Sequence, residues 1–299
     1  MFLTNFNENN DKKVVLALGY FDCLHIGHKR LVLTAKLLAE KLGVLSGVFT
    51  FSNNPGNLLK KKNKLVNTFE ERLVILQKLG IDTVFHTEFT RDFMNVSAQE
   101  FLNQLKEKNV VGVVCGFDYS FGKMSSGNVQ MLKEFCEQNN IMFSMVDMVG
   151  FDGEKASATL VKDLLISGEI EKVNQCLGHK YFMTGNVCHG HGIGSKQVFP
   201  TANIKIPQDK LYPKLGVYAG EANVDNQVFK CVINVGNRPT FDDDVDSIEV
   251  YIIDYKGDLY GKDITVGFSK YLREIQKFEN AQQLKEQIAK DIEVAKCVK

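Results

Sequence analysis

The segment Val14–Leu31 constrains the fold more than any other part of the sequence. It begins with five apolar residues, VVLAL, which predict a buried strand that ends at Gly19. A short loop follows, and Gly27 opens a helix with apolar residues at helical spacing. A strand, a glycine turn and a helix N-terminus bring unpaired backbone N–H groups to one spot, where the helix dipole favours an anion. Because His25 and His28 lie three residues apart there, we predict that they bind phosphate.

The composition of the chain excludes several classes of protein. Its 299 residues are 44% hydrophobic, which is enough for the cores of two domains. Lysine plus arginine and aspartate plus glutamate balance at 36 each, so no basic surface indicates a nucleic-acid partner. We see no signal peptide and no apolar run near the roughly 18 residues of a membrane span. Seven cysteines without a Cys-x-x-Cys pair are typical of reduced thiols, so we expect a cytoplasmic protein. We also expect a monomer or a weakly self-associating protein.

Strands alternate with amphipathic helices over the first half of the chain. Apolar runs predict further strands at 44–51, 81–86, 110–115 and 141–149. Thr68–Glu71 and Ser97–Glu100 are capping boxes that begin helices, and the basic run 60–64 is typical of a solvated loop. This alternation predicts a parallel sheet that is covered on both faces and binds ligands beyond the carboxyl ends of its strands. The glycine turn and the loops after Phe51 and Cys115 occupy such ends.

One of these loops, Gly116–Lys123, is rich in aromatic residues. Phe117, Tyr119 and Phe121 offer flat apolar faces. Asp118 adds a hydrogen-bond acceptor, and the combination suits a planar heteroaromatic ring. The alternative is that these aromatic side chains fill the hydrophobic core.

A second set of candidate ligands follows the last strand of this half. Ser157 and Thr159 stand at the start of a predicted helix, and Lys162 follows one turn into it. Hydroxyl groups at a helix N-terminus and a nearby cation can bind phosphate together. The same residues without further context would be an ordinary helix cap.

The pattern of the chain changes near Tyr181. From there apolar and polar residues alternate between frequent turns, and a final amphipathic helix ends the sequence. This pattern predicts a small antiparallel β-barrel with a C-terminal helix. We therefore divide the chain into domains 1–178 and 181–299.

A glycine-rich turn in the second half suits phosphate as well. It carries Gly190, Gly194 and Lys196, and small residues there let the backbone approach a phosphate closely. Thr201 and Asn203 follow in the sequence PTAN and offer oxygen atoms suited to Mg²⁺. These residues predict a second site for a phosphate group with Mg²⁺.

Taken in order, these motifs resemble those of one known family. GYFDCLHIGH (19–28) is similar to the nucleotidyltransferase signature, and GFDYSFGK and ASATLVK follow it in the family's order. PTAN and the later strand EVYIID resemble the flavokinase signature. The whole pattern resembles the prokaryotic bifunctional riboflavin kinase/FAD synthetase family. The resemblance implies an α/β fold, with a Rossmann-like nucleotidyltransferase domain followed by a riboflavin kinase barrel.

The resemblance also assigns roles to individual residues. It makes His25 and His28 the catalytic phosphate ligands of the first domain and Glu249 the general base of the second. The nucleotide-binding residues that it implies are Gly19, Phe21, Asp22, Gly27, Ser157, Thr159, Lys162, Gly190, Gly194 and Lys196. The flavin-binding residues that it implies are Phe117, Asp118, Phe121 and Arg273, and the Mg²⁺ ligands are Thr201 and Asn203.

The implied function consists of two consecutive reactions on one vitamin. The barrel would phosphorylate riboflavin with ATP and produce FMN. The first domain would then join FMN to the adenylyl group of a second ATP, giving FAD and pyrophosphate. Mg²⁺ would assist both steps, and the partners would be small molecules: riboflavin, FMN and ATP.

Several departures from the family pattern leave alternatives open. Cys23, Asn54, Ser125 and Lys162 stand where the family usually has Gly, His, Arg and Arg. In one alternative only the kinase works, and the first domain is a degenerate nucleotide- or flavin-binding scaffold. In another, the chain is a flavin sensor without turnover. A third is suggested by HIGH and KMSS, which resemble class I aminoacyl-tRNA synthetase signatures, but the chain has no basic face for tRNA.

Overall fold

The predicted strand, glycine turn and helix lie at the centre of the first half of the protein. A computed structural model describes residues 1–59, 63–188, 200–239 and 244–298, without the side chains of 237–239 and 244–246. The chain divides into two compact units, Met1–Ala158 and Thr159–Lys299. The predicted division between 178 and 181 stays a prediction.

The first unit is built from short strands and helices in alternation. Its strands are β1 (Phe2–Asn5), β2 (Val14–Leu18), β3 (Leu45–Phe51), β4 (Thr83–Thr87), β5 (Val110–Gly116), β6 (Ser120–Phe121), β7 (Gly127–Asn128), β8 (Met142–Val146), β9 (Gly150–Phe151) and β10 (Glu154–Lys155). Its helices are α1 (Ile26–Leu42), α2 (Pro55–Leu58), α3 (Phe69–Lys78), α4 (Arg91–Met94), α5 (Ala98–Glu107) and α6 (Val129–Gln138).

A parallel sheet forms the core of this unit, as the alternating pattern predicts. The strand order is β1-β4-β3-β2-β5-β8, and each neighbouring pair is parallel. All five residues of β2 are fully buried, because helices cover both faces of the sheet. The carboxyl ends of β2, β5 and β8 therefore meet at one edge, and the loop before α1 begins there.

The helix boundaries follow from capping residues in the sequence. The hydroxyls of Thr68 and Ser97 accept from the backbone N–H groups of Glu71 and Glu100. The carboxylates of Glu71 and Glu100 accept in return from the backbone N–H groups of Thr68 and Ser97, so α3 and α5 begin with complete capping boxes. Helix α1 ends at Gly43, which has φ +65° and donates its N–H back into the last turn. These caps confirm the helix starts that the sequence predicts.

The second unit begins with two helices and continues as a barrel. Its elements are α7 (Ala158–Ser167), α8 (Ile170–Leu177), β11 (Tyr181–Cys188), β12 (Ala202–Lys205), β13 (Gly216–Val224), β14 (Gln227–Pro239), β15 (Asp244–Ile252), β16 (Asp263–Arg273) and α9 (Ala281–Cys297). The six strands close in the order β11-β12-β15-β14-β13-β16. Each neighbouring pair is antiparallel, which confirms the predicted barrel with a terminal helix.

Helix α9 covers part of the outer face of the barrel. Val217, Ala219 and Val232 on the strands form a buried apolar cluster with Ile292 and Ala295 of the helix. Because α9 is amphipathic, this contact removes its apolar side from water. The contact fixes the helix against β13 and β14.

A buried ion pair also ties α9 to the barrel. The Arg273 guanidinium donates to both carboxylate oxygens of Asp291, with Nη2–Oδ2 at 2.8 Å and Nε–Oδ1 at 3.2 Å. The two side chains are only 16% and 6% exposed. A two-pronged contact of this kind is geometrically specific as well as strong.

We expect Asp291→Asn to destabilise the protein by about 3 kcal/mol, because it leaves a buried guanidinium without its counter-charge. The matched control is Glu274→Gln, which removes the exposed partner of Lys214 and should cost less than about 1 kcal/mol. Scanning calorimetry of both variants measures the difference. Equal losses of stability in the two variants would contradict a stabilising role for this ion pair.

Candidate functional site

The loop between β2 and α1 places two imidazole rings against each other. His25 is the N-cap of α1, and its Nδ1 accepts hydrogen bonds from the backbone N–H groups of Gly27 at 3.1 Å and His28 at 3.3 Å. The Nδ1 of His28 lies 2.6 Å from the carbonyl oxygen of Cys23. The two rings stack with centroids 3.8 Å apart and planes 20° from parallel. Backbone contacts therefore fix the position of both rings.

Burial keeps both rings neutral in this arrangement. Desolvation by burial, with smaller contributions from the nearby His28 and Lys155, lowers the pKa of His25 to about 3. The pKa of His28 is also lowered by burial, although the Cys23 carbonyl, Asp22 and Asp118 act in the opposite direction. Two uncharged imidazoles therefore stand at a helix N-terminus, where an anion would be stabilised.

Three predicted nucleotide ligands shape the loop. Phe21 is buried with φ +54°, and its ring meets His28 edge-on at 5.1 Å. A Cβ on Gly19 would lie 2.8 Å from the Phe21 ring, so only glycine leaves room for it. The Asp22 carboxylate accepts from the backbone N–H of Val66 at 3.1 Å, and the backbone carbonyl of Asp22 accepts from the backbone N–H of Asn67. Their contact with a nucleotide stays a prediction.

A cavity of about 220 Å³ opens beside the two histidines. It is lined from the ends of three sheet strands by His25, His28, Phe117, Asp118 and Asp147. Gly27 lines it too, and a Cβ there would lie 3.0 Å from the His25 ring. The cavity lies beyond the carboxyl ends of β2, β5 and β8, where a parallel sheet binds ligands.

The aromatic loop contributes to the cavity in part. Phe117 is 41% exposed and lines the cavity, as does Asp118. Phe121 is only 7% exposed and packs against Phe101, with ring centroids 5.5 Å apart, in the hydrophobic core. Phe121 is not among the described residues that line the cavity. Its surroundings are those of a hydrophobic core residue, as in the alternative interpretation of this loop.

Lys155 is a cavity residue that the sequence analysis missed. Its ammonium group forms an ion pair with Asp118 and lies 4.8 Å from the centre of the Phe117 ring. Among the described residues that line the cavity, it is the sole lysine or arginine. A lysine at the end of a two-residue strand looks like a surface charge in the sequence. Its position two residues before Ser157, a predicted phosphate ligand, could have identified Lys155 as a candidate site residue.

The predicted phosphate cluster after the sheet divides between the two compact units. Ser157 lines the cavity of the first unit. Thr159 and Lys162 lie on α7 and belong to the second unit. Their contact with phosphate stays a prediction.

Cys23, His25 and His28 also have the chemistry of metal ligands. One ligand atom from each lies within 4.8 Å of the others. However, Nδ1 of His25 accepts two backbone N–H groups and Nδ1 of His28 contacts a carbonyl, so Nδ1 of each ring is already engaged. The helix N-terminus at which the rings stand favours an anion over a cation.

Two departures from the family pattern have local explanations. The contact of Cys23 with His28 is made by its carbonyl, which any residue supplies. Asn54 is buried, accepts from Gly56 at 2.9 Å as the N-cap of α2, and donates to the carbonyl of Asn63 at 2.7 Å. Its side chain therefore holds the loop after β3 together.

In the barrel, three predicted kinase residues fall in one row across the strands. Asn203 pairs with Glu249, Glu249 with Asn234, Asn234 with Val217, and Val217 with Arg273. Because directly paired residues project from the same face, the row lies on the outer face that α9 partly covers. Asn234 is a member that we did not predict as a site residue.

The other kinase residues have different positions. Thr201 immediately precedes β12 and shares the side of Asn203 in an alternating strand. The Arg273 side chain is engaged by Asp291, so its flavin contact stays a prediction. The predicted ligands Gly190, Gly194 and Lys196 lie outside the described residues.

Two family models match the chain and divide it in the predicted order. The FAD synthetase model matches residues 7–160, and the riboflavin kinase model matches residues 177–298. Both matches together do not favour the alternative of a kinase with a degenerate first domain.

Three relatives that align with nearly the whole chain are named for both activities. Three proteins named bifunctional riboflavin kinase/FMN adenylyltransferase come from Listeria monocytogenes, Bacillus subtilis and Escherichia coli K12. They are 35%, 33% and 30% identical to this chain. The alignments cover 95%, 93% and 96% of the chain and 92%, 90% and 93% of the relatives.

A crystal structure from Streptococcus pneumoniae has the same fold. It covers 100% of both chains with a TM-score of 0.90 and 27% identity. Its title calls that protein a macrolide-efflux protein. In the described part of the present chain, no helix has the length and apolar character needed to span a membrane.

We expect Gly19→Ala to displace the Phe21 ring and, through it, His28. The clash should cost about 1–3 kcal/mol of stability and lower adenylyl transfer roughly 10-fold or more, because small shifts of catalytic groups are costly. The control is Gly150→Ala, where the added Cβ would meet one backbone oxygen at 3.8 Å. Equal rates of adenylyl transfer in the two variants would contradict this role of Gly19.

The neutral state of His25 makes stability depend on pH. Its pKa falls from about 6.5 in the unfolded chain to about 3 in the folded protein. Between these values the unfolded state binds a proton that the folded state does not, so acid lowers stability by up to about 1.4 kcal/mol per pH unit. His25→Asn keeps a capping oxygen but cannot titrate. Urea unfolding should show a shallower acid slope in this variant, and an unchanged slope would contradict the assignment.

Proposed function

We propose a two-step mechanism for this chain, which belongs to the family of bifunctional riboflavin kinase/FMN adenylyltransferases and is an enzyme of both activities. ATP phosphorylates riboflavin to FMN in the barrel, which we assign to residues 181–299. A second ATP then adenylylates FMN to FAD at the sheet edge, which we assign to residues 1–178, and pyrophosphate is released. The observation that carries the second assignment is the stacked histidine pair at the N-terminus of α1, beside a cavity at the sheet edge.

In adenylyl transfer the FMN phosphate attacks the α-phosphorus of ATP. His25 and His28 face the developing charge on the phosphorus oxygens and the leaving pyrophosphate. Their rings are held by backbone contacts before the nucleotide arrives, so little reorganisation is needed during the reaction. Holding two polyanions in line also removes much of the entropy cost of the encounter.

The cavity combines charged groups with one exposed aromatic face. Asp118 and Asp147 make the wall acidic, while Lys155 supplies a cation next to the histidines. The exposed face of Phe117, with the Lys155 ammonium above it, suits a flat ring such as the flavin or the adenine. A phosphate that approaches the histidines can attract Lys155 away from Asp118.

In the kinase step Glu249 acts as general base. Its carboxylate would take the proton of the ribityl hydroxyl as that oxygen attacks the γ-phosphorus of ATP. Asn203 is its direct neighbour on the adjacent strand, and this adjacency supports the proposal that the base acts beside a metal ligand.

The donor atoms of Thr201 and Asn203 fit Mg²⁺, since both offer neutral side-chain oxygens of the kind this ion prefers. Mg²⁺ bound there would neutralise charge on the phosphates of ATP. Thr201 and Asn203 would hold this ion, and Glu249 is paired with Asn203 across the two strands.

We further propose that the enzyme works in the cytoplasm as a monomer or weakly associating protein, with riboflavin, FMN and ATP as partners and without nucleic acid or membrane. All seven cysteines lie in the described part of the chain and none forms a disulfide. Reduced thiols, several of them buried, are typical of proteins in a reducing compartment.

The two activities should separate by single substitutions. We expect His28→Asn to lower FAD formation from FMN at least 100-fold while riboflavin phosphorylation continues, because an oxyanion ligand of the first site is lost. Glu249→Gln should lower riboflavin phosphorylation 100-fold or more and leave FAD formation from added FMN intact. Chromatography of the products from riboflavin, ATP and Mg²⁺ over time measures both.

A specific outcome would contradict each of the two assignments. If Glu249→Gln phosphorylates riboflavin at the full rate, the assignment of the base is wrong. If wild-type protein makes FMN but no FAD or pyrophosphate, the sheet edge does not transfer an adenylyl group.

A further inference from the structure

The backbone contacts of the two stacked histidines assign their protons to opposite nitrogens. Nδ1 of His25 accepts two backbone N–H groups, so this nitrogen carries no hydrogen and the neutral ring is protonated at Nε2. Nδ1 of His28 lies 2.6 Å from a carbonyl oxygen, which can only accept. Nδ1 of His28 therefore carries the hydrogen, and its Nε2 has a lone pair instead.

This difference matters for an anionic ligand. A phosphate oxygen without a proton accepts hydrogen bonds and cannot donate them. Nε2 of His25 can donate to such an oxygen as it stands. Nε2 of neutral His28 would place a lone pair against the same kind of oxygen, and the two would repel. The ring of His28 cannot turn over to correct this without giving up the contact with the Cys23 carbonyl.

We propose that His28 takes up a proton at Nε2 when the triphosphate of a nucleotide enters the cavity, so that nucleotide binding is coupled to protonation. The inference rests on the proposed adenylyl transfer and deepens it. The imidazolium then donates from Nδ1 to the Cys23 carbonyl and from Nε2 to the phosphate, while His25 stays neutral and donates from Nε2.

The charges around His28 are consistent with a ring that is neutral alone and charged with its ligand. Asp22 from its own loop and Asp118 from the loop after β5 favour the charged form, whereas Lys155 on β10 opposes it. On its own helix His28 is followed directly by Lys29, and His25, which stacks on its ring, remains neutral. Burial outweighs the two carboxylates and lowers the pKa of His28 in the unliganded protein. A triphosphate in contact adds several negative charges, which shift this balance towards the imidazolium.

The proton has a defined course through the reaction. An oxygen of the FMN phosphate forms a bond to the α-phosphorus, and the bond from that phosphorus to the bridging oxygen breaks. The electron pair of the broken bond goes to pyrophosphate, and His28 donates its Nε2 hydrogen bond to that anion. When pyrophosphate leaves, it takes the proton from Nε2, and His28 is neutral again.

Nitrogen NMR of the full chain tests the proposal directly. The chain contains six histidines, so ¹⁵N-histidine labelling gives few signals, and His25→Asn and His28→Asn assign the two that matter. We would record the protein with and without ATP and Mg²⁺, in the absence of flavin so that no turnover occurs. A pH of about 8 keeps the ATP phosphates, with a pKa near 6, deprotonated.

Without ATP we expect His25 to carry hydrogen on Nε2 and His28 on Nδ1. With ATP, His28 should carry hydrogen on both nitrogens, while His25 keeps its tautomer. If ATP perturbs the His25 signal and His28 remains neutral, the proton coupling is wrong and the proposed nucleotide site stands. If ATP perturbs neither signal, the nucleotide does not bind here and the proposed function of this site fails.

Calorimetry provides an independent count of protons. The heat of ATP binding would be measured in buffers with different ionisation enthalpies, for the wild type and for His28→Asn. The kinase site contributes equally to both proteins, so the difference reports the first site. We expect the wild type to take up about one proton more per nucleotide bound at this site. Equal uptake by two proteins that both bind ATP at the sheet edge would overturn the proposal.

Discussion

The capping of α1 by His25 is the interaction on which the first site depends. One imidazole nitrogen satisfies two backbone N–H groups at the helix start, which places the ring at the sheet edge. His28 then stacks on it from the first turn and is held by the Cys23 carbonyl. The helix needs a cap, and His25 supplies it through Nδ1 alone. Local folding and the proposed anion binding would thus use the same side chain.

The sequence predicts this part of the fold well because the signals are local. An apolar run, a glycine and a helical stripe follow each other within Val14–Leu31, and the capping boxes at Thr68 and Ser97 mark helix starts in the same way. The motif does not reveal which of its residues hold the loop in place and which face the cavity. Phe21 and Asp22 pack and anchor the loop, and this depends on Val66, which is remote in sequence. Lys155 likewise reaches the cavity only through tertiary folding.

The barrel shows the same limit on a larger scale. Alternation predicts its strands, but the register decides which polar residues become neighbours. Asn203, Glu249 and Asn234 come from three strands, and pairing alone brings them into one row. The ion pair between Arg273 and Asp291 could not be predicted either, because the two residues are 18 positions apart, with a loop and the first half of α9 between them. A sequence motif can suggest that Arg273 matters without saying what it contacts.

A crystal structure with a non-hydrolysable ATP analogue would test the central claim most directly. The account predicts a nucleotide at the sheet edge of the first unit, with phosphate oxygens about 3 Å from Nε2 of both His25 and His28. It also predicts that the contact between His28 and the Cys23 carbonyl persists. A nucleotide bound only in the barrel, or phosphates that avoid the two histidines, would contradict it.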